Sequence, residues 1–306
     1  MELIRYRKIY FIFSSVLIIG SLVLLGVFGL KPGIDFTGGS IIEIEYKKER
    51  PANQEILESL SDFDLGTVYV QPTGERGVLI RMKDIEENIH QEILTTLSQK
   101  VEIENGEMTI EVTELEEKRF ESIGPTIGQE LREKTNIVVV AVLLSMITYI
   151  ALAFRKVQKP IKSWQYGIIS CLALFHDILI PLGVFSLLGK YLGVEITIPV
   201  ITALLAVLGY SINNTVVVFD RIRENLMRVG EGFEQTVNIS VNQTLSRQIN
   251  TSLTTLFVAV SIYLFGGATL QYFALALILG ILAGTYSSIF LAGPLLVTWY
   301  NLRYKK

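Results

Sequence analysis

The 306 residues include one cysteine, two histidines and two tryptophans. With Cys171 alone, an intramolecular disulfide and a Cys-based metal site are both excluded. Charge is also scarce. Only 19% of residues are Asp, Glu, Lys or Arg, against about 25% in a soluble domain, and the formal net charge of -3 offers nothing to a nucleic acid. Neither a GxxxxGK[ST] loop nor a strand-associated GxGxxG occurs, so no nucleotide site is expected, nor any cofactor or resident metal. The chain reads as a non-enzyme, and any work it does must draw on something other than its own ATPase.

What is abundant is apolar surface, with half of all residues hydrophobic. Apolar runs fall near residues 10–30, 135–154, 164–189, 197–219, 249–266 and 269–299, several reaching the ~18 to 20 residues that cross a hydrocarbon core. Six membrane helices are expected. Arg5, Arg7 and Lys8 precede the first run as they would in a signal peptide. The run nevertheless ends at Gly29-Leu30-Lys31-Pro32 without a small-x-small cleavage site, so it reads as an uncleaved anchor. If every run crosses, the amino terminus, the link with Arg155, Lys156, Lys159 and Lys162, the segment with Arg221, Arg223 and Arg228, and the tail with Arg303, Lys305 and Lys306 share one side. By the positive-inside rule that side is the cytoplasm. The expected division is 1–30 as amino terminus and first helix, 31–133 as an extracytoplasmic domain, and 134–306 as the remaining five helices, with a cytoplasmic segment at about 221–246 that could lie along the membrane surface.

The external segment has its own pattern. Alternation from Ser40 to Tyr46 predicts a strand, and Ile56, Leu57 and Leu60 lie at helical spacing behind Pro51. Strands are predicted over 66–71 and 77–82 around the Pro72-Thr73-Gly74-Glu75 turn, a helix over 85–97 and a last strand over 108–113. That order is the split βαβ of a small α+β, ferredoxin-like domain. His90, beside Glu86, Glu87 and Gln91, reads as a solvated surface residue, and Glu111, Glu114, Glu116 and Glu117 as a solvated acidic face.

Polar groups inside the apolar runs carry most of the functional signal, because an ionisable side chain at bilayer depth usually faces a protein interior or a water path. Asp177, beside His176, lies roughly 20 Å into its span, near the midplane. Asn213 and Asn214 interrupt VLGYSINNTVVVFDRIREN, roughly 10 Å above Asp220 at the helix end. Arg247 stands at the entry to the fifth helix, where Asn250, Thr251, Ser252, Thr254 and Thr255 continue a polar streak. The helices run in opposite directions, so Asn214 and Arg247 could meet. Two readings stay open for these groups: an ion path, or amides and hydroxyls that glue helices together at about 0.6–2 kcal/mol each. Asp220 is expected to pair with Arg221, Arg223 or Arg247. Gly280 and Gly284 form a GxxxG, read as close helix packing.

Six motifs in order add a resemblance. They are Gly33-Ile34-Asp35-Phe36-Thr37-Gly38-Gly39, Ser122 to Gly128, His176-Asp177, Gly209-Tyr210-Ser211 through Asn225, Ser246-Arg247 through Ser252, and Gly284 to Phe290. Together they resemble the SecD/SecF family of protein-export membrane proteins, in its smaller SecF half, over essentially the whole chain. The resemblance implies half of an RND-type transporter: six helices with an external domain after the first, pairing with SecD in the bacterial cytoplasmic membrane. It further implies inward proton or sodium flow coupled to movement of external domains that draw an unfolded preprotein out of SecYEG, with YidC and YajC as further candidate partners. An RND small-molecule exporter half and a non-conducting scaffold of the translocon are the alternatives.

One position departs from the family pattern, in which the fourth-helix motif usually reads Gly-Tyr-Ser-x-Asn-Asp, with the aspartate opposite the fifth-helix arginine. Here that position is Asn214, an amide that cannot titrate, while Arg247 is retained. Three consequences are open: the titrating carboxylate lies on SecD, a cation other than the proton is handled by an amide oxygen, or coupling is weak or absent.

Overall fold

The computed structural model describes residues 1–104, 107–112, 114–154, 161–228 and 232–304. Arg155, Lys156, Lys159, Lys305 and Lys306, used above for orientation, lie outside the described residues. The chain divides into two units, Met1–Lys31 with Asn136–Lys306, and Pro32–Thr135.

The smaller unit starts with a short helix α2 (Ile34–Thr37), numbered after α1 (Arg7–Phe28) of the larger unit. There follow β1 (Gly39–Tyr46), α3 (Asn53–Ser59), β2 (Tyr69–Thr73), β3 (Gly77–Met82), α4 (Glu87–Ser98), β4 (Gln99–Glu104), β5 (Glu107–Val112) and β6 (Leu115–Ile123). The sheet order is β2-β3-β1-β6, and every neighbouring pair is antiparallel. With β6 as fourth strand this is the expected ferredoxin-like order, in which each βαβ crossover skips one strand. Ile42, Ile44 and Tyr46 of β1 pack with Val78 and Ile80 of β3 and with Ile56, Ile93 and Leu97 of α3 and α4. Fully burying such a side chain is worth about 1.5–3 kcal/mol.

Two expectations are corrected. The strand predicted over 108–113 is not the fourth strand of the sheet. It forms most of β5, which pairs only with β4 in a separate hairpin, and β6 takes the place beside β1. His90 is buried rather than solvated. Its ring stacks on Phe120 at 3.7 Å and 6°. Nδ1 lies 3.1 Å from Glu87 and Nε2 3.1 Å from Glu117, the latter off the hydrogen-bond direction. The register decides this, because Phe120 lies opposite Ile42 on β6 and is partly buried against the core. Glu114 and Glu116 do remain solvated, paired with Lys47 and Lys118, and the Lys47 ion pair holds the Glu114 carboxyl below its usual range.

The glycine motifs at the two ends of this unit meet. Gly38 and Gly39 have φ of +73° and +124°, which only glycine adopts readily. A Cβ on Gly39 would lie 2.8 Å from the Met82 carbonyl oxygen, and one on Gly38 2.9 Å from Pro125 Cα. Gly128, in the first turn of the next helix, is closed off likewise, since its Cβ would fall 2.7 Å from Gly38 N. Asp35 sits half-buried in α2 just before this turn.

The larger unit contains α1, most of α5 (Pro125–Ala153), α6 (Ser163–Leu192), α7 (Ile198–Arg228), α8 (Phe233–Phe265), α9 (Gly267–Ser287), a π-helical turn Ser288–Ala292 and α10 (Gly293–Tyr304). Six spans are long and apolar enough to cross a membrane, α9 and α10 counting as one. Their burial is unequal: 56% of the most apolar stretch of α6 is buried, as is 56% of that of α9–α10 and 50% of that of α7, against 11%, 6% and 17% for α1, α5 and α8. The first three are therefore the inner helices. The segment expected at about 221–246 as a surface stretch is mostly a continuation of α7 and α8 as two antiparallel arms, tied by Asn225 Nδ2 donating to Ser240 Oγ and Gln243 Oε1.

Candidate functional site where α6, α7 and α9 cross

The α7 stretch Gly209-Tyr210-Ser211 shows how adjacent residues reach different neighbours, since each helical step turns the side chain by about 100°. Ser211 points at α6, where its hydroxyl donates to Asp177 Oδ2. Tyr210 points at α8, its hydroxyl donating to Ser252 Oγ at 2.8 Å, and Ser252 in turn bonds Thr285 at 2.6 Å. A Cβ on Gly209 would meet nothing within 4 Å. Gly209 instead lines a groove between α5 and α7 of about 600 Å³, with Val142, Ser145, Ile212 and Asn213.

Asp177 is the hub. Its side chain is fully buried, yet Oδ1 lies 2.8 Å from His176 Nδ1 and Oδ2 accepts from both Ser211 and Ser287, the latter at 2.7 Å. One carboxyl group thus ties α6 to α7 and α9 in a part of the bundle with no other ionisable side chain among its hydrogen-bond partners but His176. Two backbone features adapt the helices to it. Pro181 has no N–H for the Asp177 carbonyl, which loses its helical donor. The π turn Ser288–Ala292 follows Ser287 directly, a widening that often marks functional segments. His176 stacks on Tyr286 at 5.8 Å, and Tyr286 donates to the Tyr10 carbonyl of α1 at 3.0 Å, so the polar chain reaches the first helix. His176 Nε2 is buried with no hydrogen-bond partner.

The GxxxG of α9 makes this crossing close enough. A Cβ on Gly280 would lie 2.4 Å from Val207 Cγ2, and one on Gly284 3.0 Å from Ser211 Cβ, one turn from the Asp177 contact.

The other expected site residues are dispersed. Asn213 is exposed on the α5–α7 groove, whereas Asn214 is 4% exposed and its Nδ2 has no hydrogen-bond partner, which costs roughly 1–3 kcal/mol. Arg247 is exposed, and no hydrogen bond or ion pair joins it to Asn214 among the described residues. The residue beside it, Gln248, is the one that turns inward, accepting from Ser288 at 2.6 Å and donating to Thr244 at 3.3 Å. Of the polar streak on α8 only Ser252 is buried, while Thr251, Thr254 and Thr255 return their hydroxyls to backbone carbonyls of their own helix. Asp220 lies outside the core, 2.6 Å from Arg223. Sequence reasoning missed Ser287, Tyr286 and Gln248. The signal for Ser287 was its spacing, three residues after Gly284 on the same helix face.

Comparison with known proteins decides the lineage. A model of the C-terminal part of the protein export membrane protein SecD/SecF matches residues 104–302, and one of the SecD/SecF GG motif matches residues 23–49. The chain belongs to the SecD/SecF family. Within it, the chain is 41% identical to the protein translocase subunit SecF of Thermobaculum terrenum and 37% identical to that of Anaerolinea thermophila. Each alignment covers 98% of this chain and 94% of the relative. Among solved structures, SecDF from Thermus thermophilus, titled a translocon-associated membrane protein, superposes with a TM-score of 0.78 at 30% identity. SecDF in a super-membrane-facing form gives 0.62 at 32%. The match to the Thermus protein covers 97% of this chain but 38% of that one, so this SecF-type chain spans well under half of a SecDF chain. It is a multi-pass membrane protein, and the GG motif of the family is the Gly38-Gly39 turn described above.

Proposed function

We propose that the chain is the SecF-type half of a two-part export unit: it pairs with a SecD half and assists movement of an unfolded preprotein through SecYEG. It does so by coupling a proton or sodium gradient to movement of external domains, without enzymatic chemistry of its own. Its place is the bacterial cytoplasmic membrane, with both chain ends inside and the Pro32–Thr135 unit outside. YidC and YajC are further candidate partners.

The observation that carries the reading is the fit of nearly the whole chain to 38% of a SecDF chain. One half of such a unit needs a face for the other, and the α5–α7 groove beside Gly209 and Asn213 supplies one. It is apolar apart from the Asn213 amide and the hydroxyls of Ser145 and Tyr149, and it flanks the least buried helix of the bundle. The buried Asp177 supports ion coupling, since helix packing alone does not require a carboxyl group. A second reading, a scaffold that does not conduct, draws on Asn214, which cannot titrate, and on the absence of a bond between it and Arg247. The test is reconstitution with the SecD partner and SecYEG under an imposed proton or sodium gradient, comparing wild type, Asn214→Asp, Asn214→Leu and Arg247→Met. Coupling predicts a gradient-dependent rate that Arg247→Met lowers and Asn214→Asp changes. Equal rates in all four would remove residues 214 and 247 from the path, and a rate indifferent to either gradient would favour the scaffold.

A further inference from the structure

At the end of the bundle where α1 begins, a cavity of about 770 Å³ opens between the starts of α1 and α8 and the end of α10. Its size lies within the ~300–1,000 Å³ of ligand sites. The floor is apolar, formed by Ile4, Phe233 and Tyr300, the last two with ring centroids 4.6 Å apart. The rim carries Arg5, Arg7 and Lys8.

Two carboxylates face these cations, and neither occupies them fully. Glu2 meets Arg5 only through Nη1 at 3.3 Å, with both side chains about 70% exposed (74% and 69%), a pair worth little in water. Glu234 meets Arg7 through Nη1, which also contacts the Ile4 carbonyl. Among the described residues the only side-chain contacts of the two guanidinium groups are through Nη1, and Lys8 has no hydrogen-bond or ion-pair partner. Gly232, at the N-cap of α8, lines the same cavity and brings no side chain of its own into it. A planar fork with free donors suits a phosphodiester.

Directly along α1 from this rim, Ile9, Ile12, Phe13 and Val16 are 62%, 66%, 52% and 63% exposed. A molecule seated here would therefore meet cations at one end and a bare apolar helix face at the other. We propose that this cavity is a site for the headgroup of an anionic phospholipid, its phosphate among Arg5, Arg7 and Lys8 and its chains lying along α1. A free phosphate would use the same donors but not the helix face.

The test uses the full chain in nanodiscs of phosphatidylcholine with and without phosphatidylglycerol, read by native mass spectrometry after gentle delipidation. One phosphatidylglycerol per chain is expected to be retained in preference to phosphatidylcholine. Lys8→Gln, which breaks no hydrogen bond or ion pair among the described residues, should weaken retention about fivefold, the effect of roughly 1 kcal/mol per interfacial cation, and Arg5→Gln with Lys8→Gln should weaken it further. Lys162→Gln, an exposed charge outside the cavity, should leave it unchanged. Equal retention of the two lipids, or equal loss from Lys8→Gln and Lys162→Gln, would overturn the site in favour of diffuse attraction. Displacement of the lipid by millimolar inorganic phosphate would overturn the lipid assignment.

Discussion

Gly280→Ala should loosen the α7–α9 seam, and the structure sets the size of the effect. The new methyl would lie 2.4 Å from Val207 Cγ2, 2.5 Å from Cγ1 and 2.9 Å from Cβ, where carbon contacts normally sit at about 3.5–4.0 Å. Both γ carbons are struck, so no single rotation of Val207 clears the clash, and the helices must part by about 1 Å. Overpacking of this kind costs about 1–3 kcal/mol. Val207→Ala removes both γ carbons and by itself costs about 1–2 kcal/mol through lost contacts. In the double variant only the 2.9 Å approach to Cβ persists, so rescue is partial and the coupling energy should be roughly 1 kcal/mol or more. The consequence reaches the polar hub. Ser287 lies two turns along the same helix, and a 1 Å shift would stretch its 2.7 Å bond to Asp177 beyond hydrogen-bonding range. Reversible unfolding in bicelles, by steric trapping or detergent titration, measures the cycle. A Gly280→Ala variant within about 0.3–0.5 kcal/mol of wild type, or strict additivity with Val207→Ala, would refute the steric argument.

In the same assay Asp177→Leu should cost about 2–4 kcal/mol, because the hydroxyls of Ser211 and Ser287 and the imidazole of His176 lose their acceptor together. Asp177→Asn keeps one acceptor oxygen and should cost less than half as much, and equal costs would show that the carboxyl group is not the tie between helices. Tyr46→Phe should leave the Pro32–Thr135 unit as stable at neutral pH, or up to about 1 kcal/mol more so, since the Tyr46 hydroxyl is buried with no hydrogen-bond partner. Burial pushes that phenol up to about 12, against the opposing pull of Arg50. Below pH 10 both folded and unfolded chains keep the proton. Between pH 10 and 12 only the unfolded chain loses it, so stability should fall by roughly 2 kcal/mol across that window. Proteolysis-monitored denaturation of the full chain checks this, and a Tyr46→Phe variant with the same alkaline decline would assign the loss to another group. Gly39→Ala, with φ of +124° and a Cβ 2.8 Å from the Met82 carbonyl oxygen, should unfold the edge of β1 at a cost above about 2 kcal/mol. Loss of hydrogen-exchange protection at β1 reports it, and unchanged protection would contradict the tight turn.

The six spans were legible because apolar length is a local property: about twenty residues of hydrocarbon character have few places to go but a bilayer. The Gly38-Gly39 turn and the GxxxG were visible for a related reason, since glycine at such spacing signals backbone approach whatever the partner. The Pro32–Thr135 unit was legible up to its last strand. Residues 107–112 alternate polar and apolar side chains and read as a strand, whereas 115–123, with four charged residues in a row, do not, and only pairing with β1 makes the second segment the sheet strand. His90 illustrates the same limit. Its neighbours in sequence are acidic and amidic, but the ring that covers it comes from Phe120, thirty positions on.

Sequence alone determined that this is a membrane chain with one α+β unit between its first and second apolar runs, that polar residues interrupt those runs, and that an amide stands at position 214. Which of those residues act together was decided by tertiary structure. A helix that is apolar almost all round has no preferred face, so its sequence cannot say which neighbour a given serine or arginine meets. Packing assigned that role to Asp177 with Ser211 and Ser287, turned Gln248 inward and left Arg247 outside.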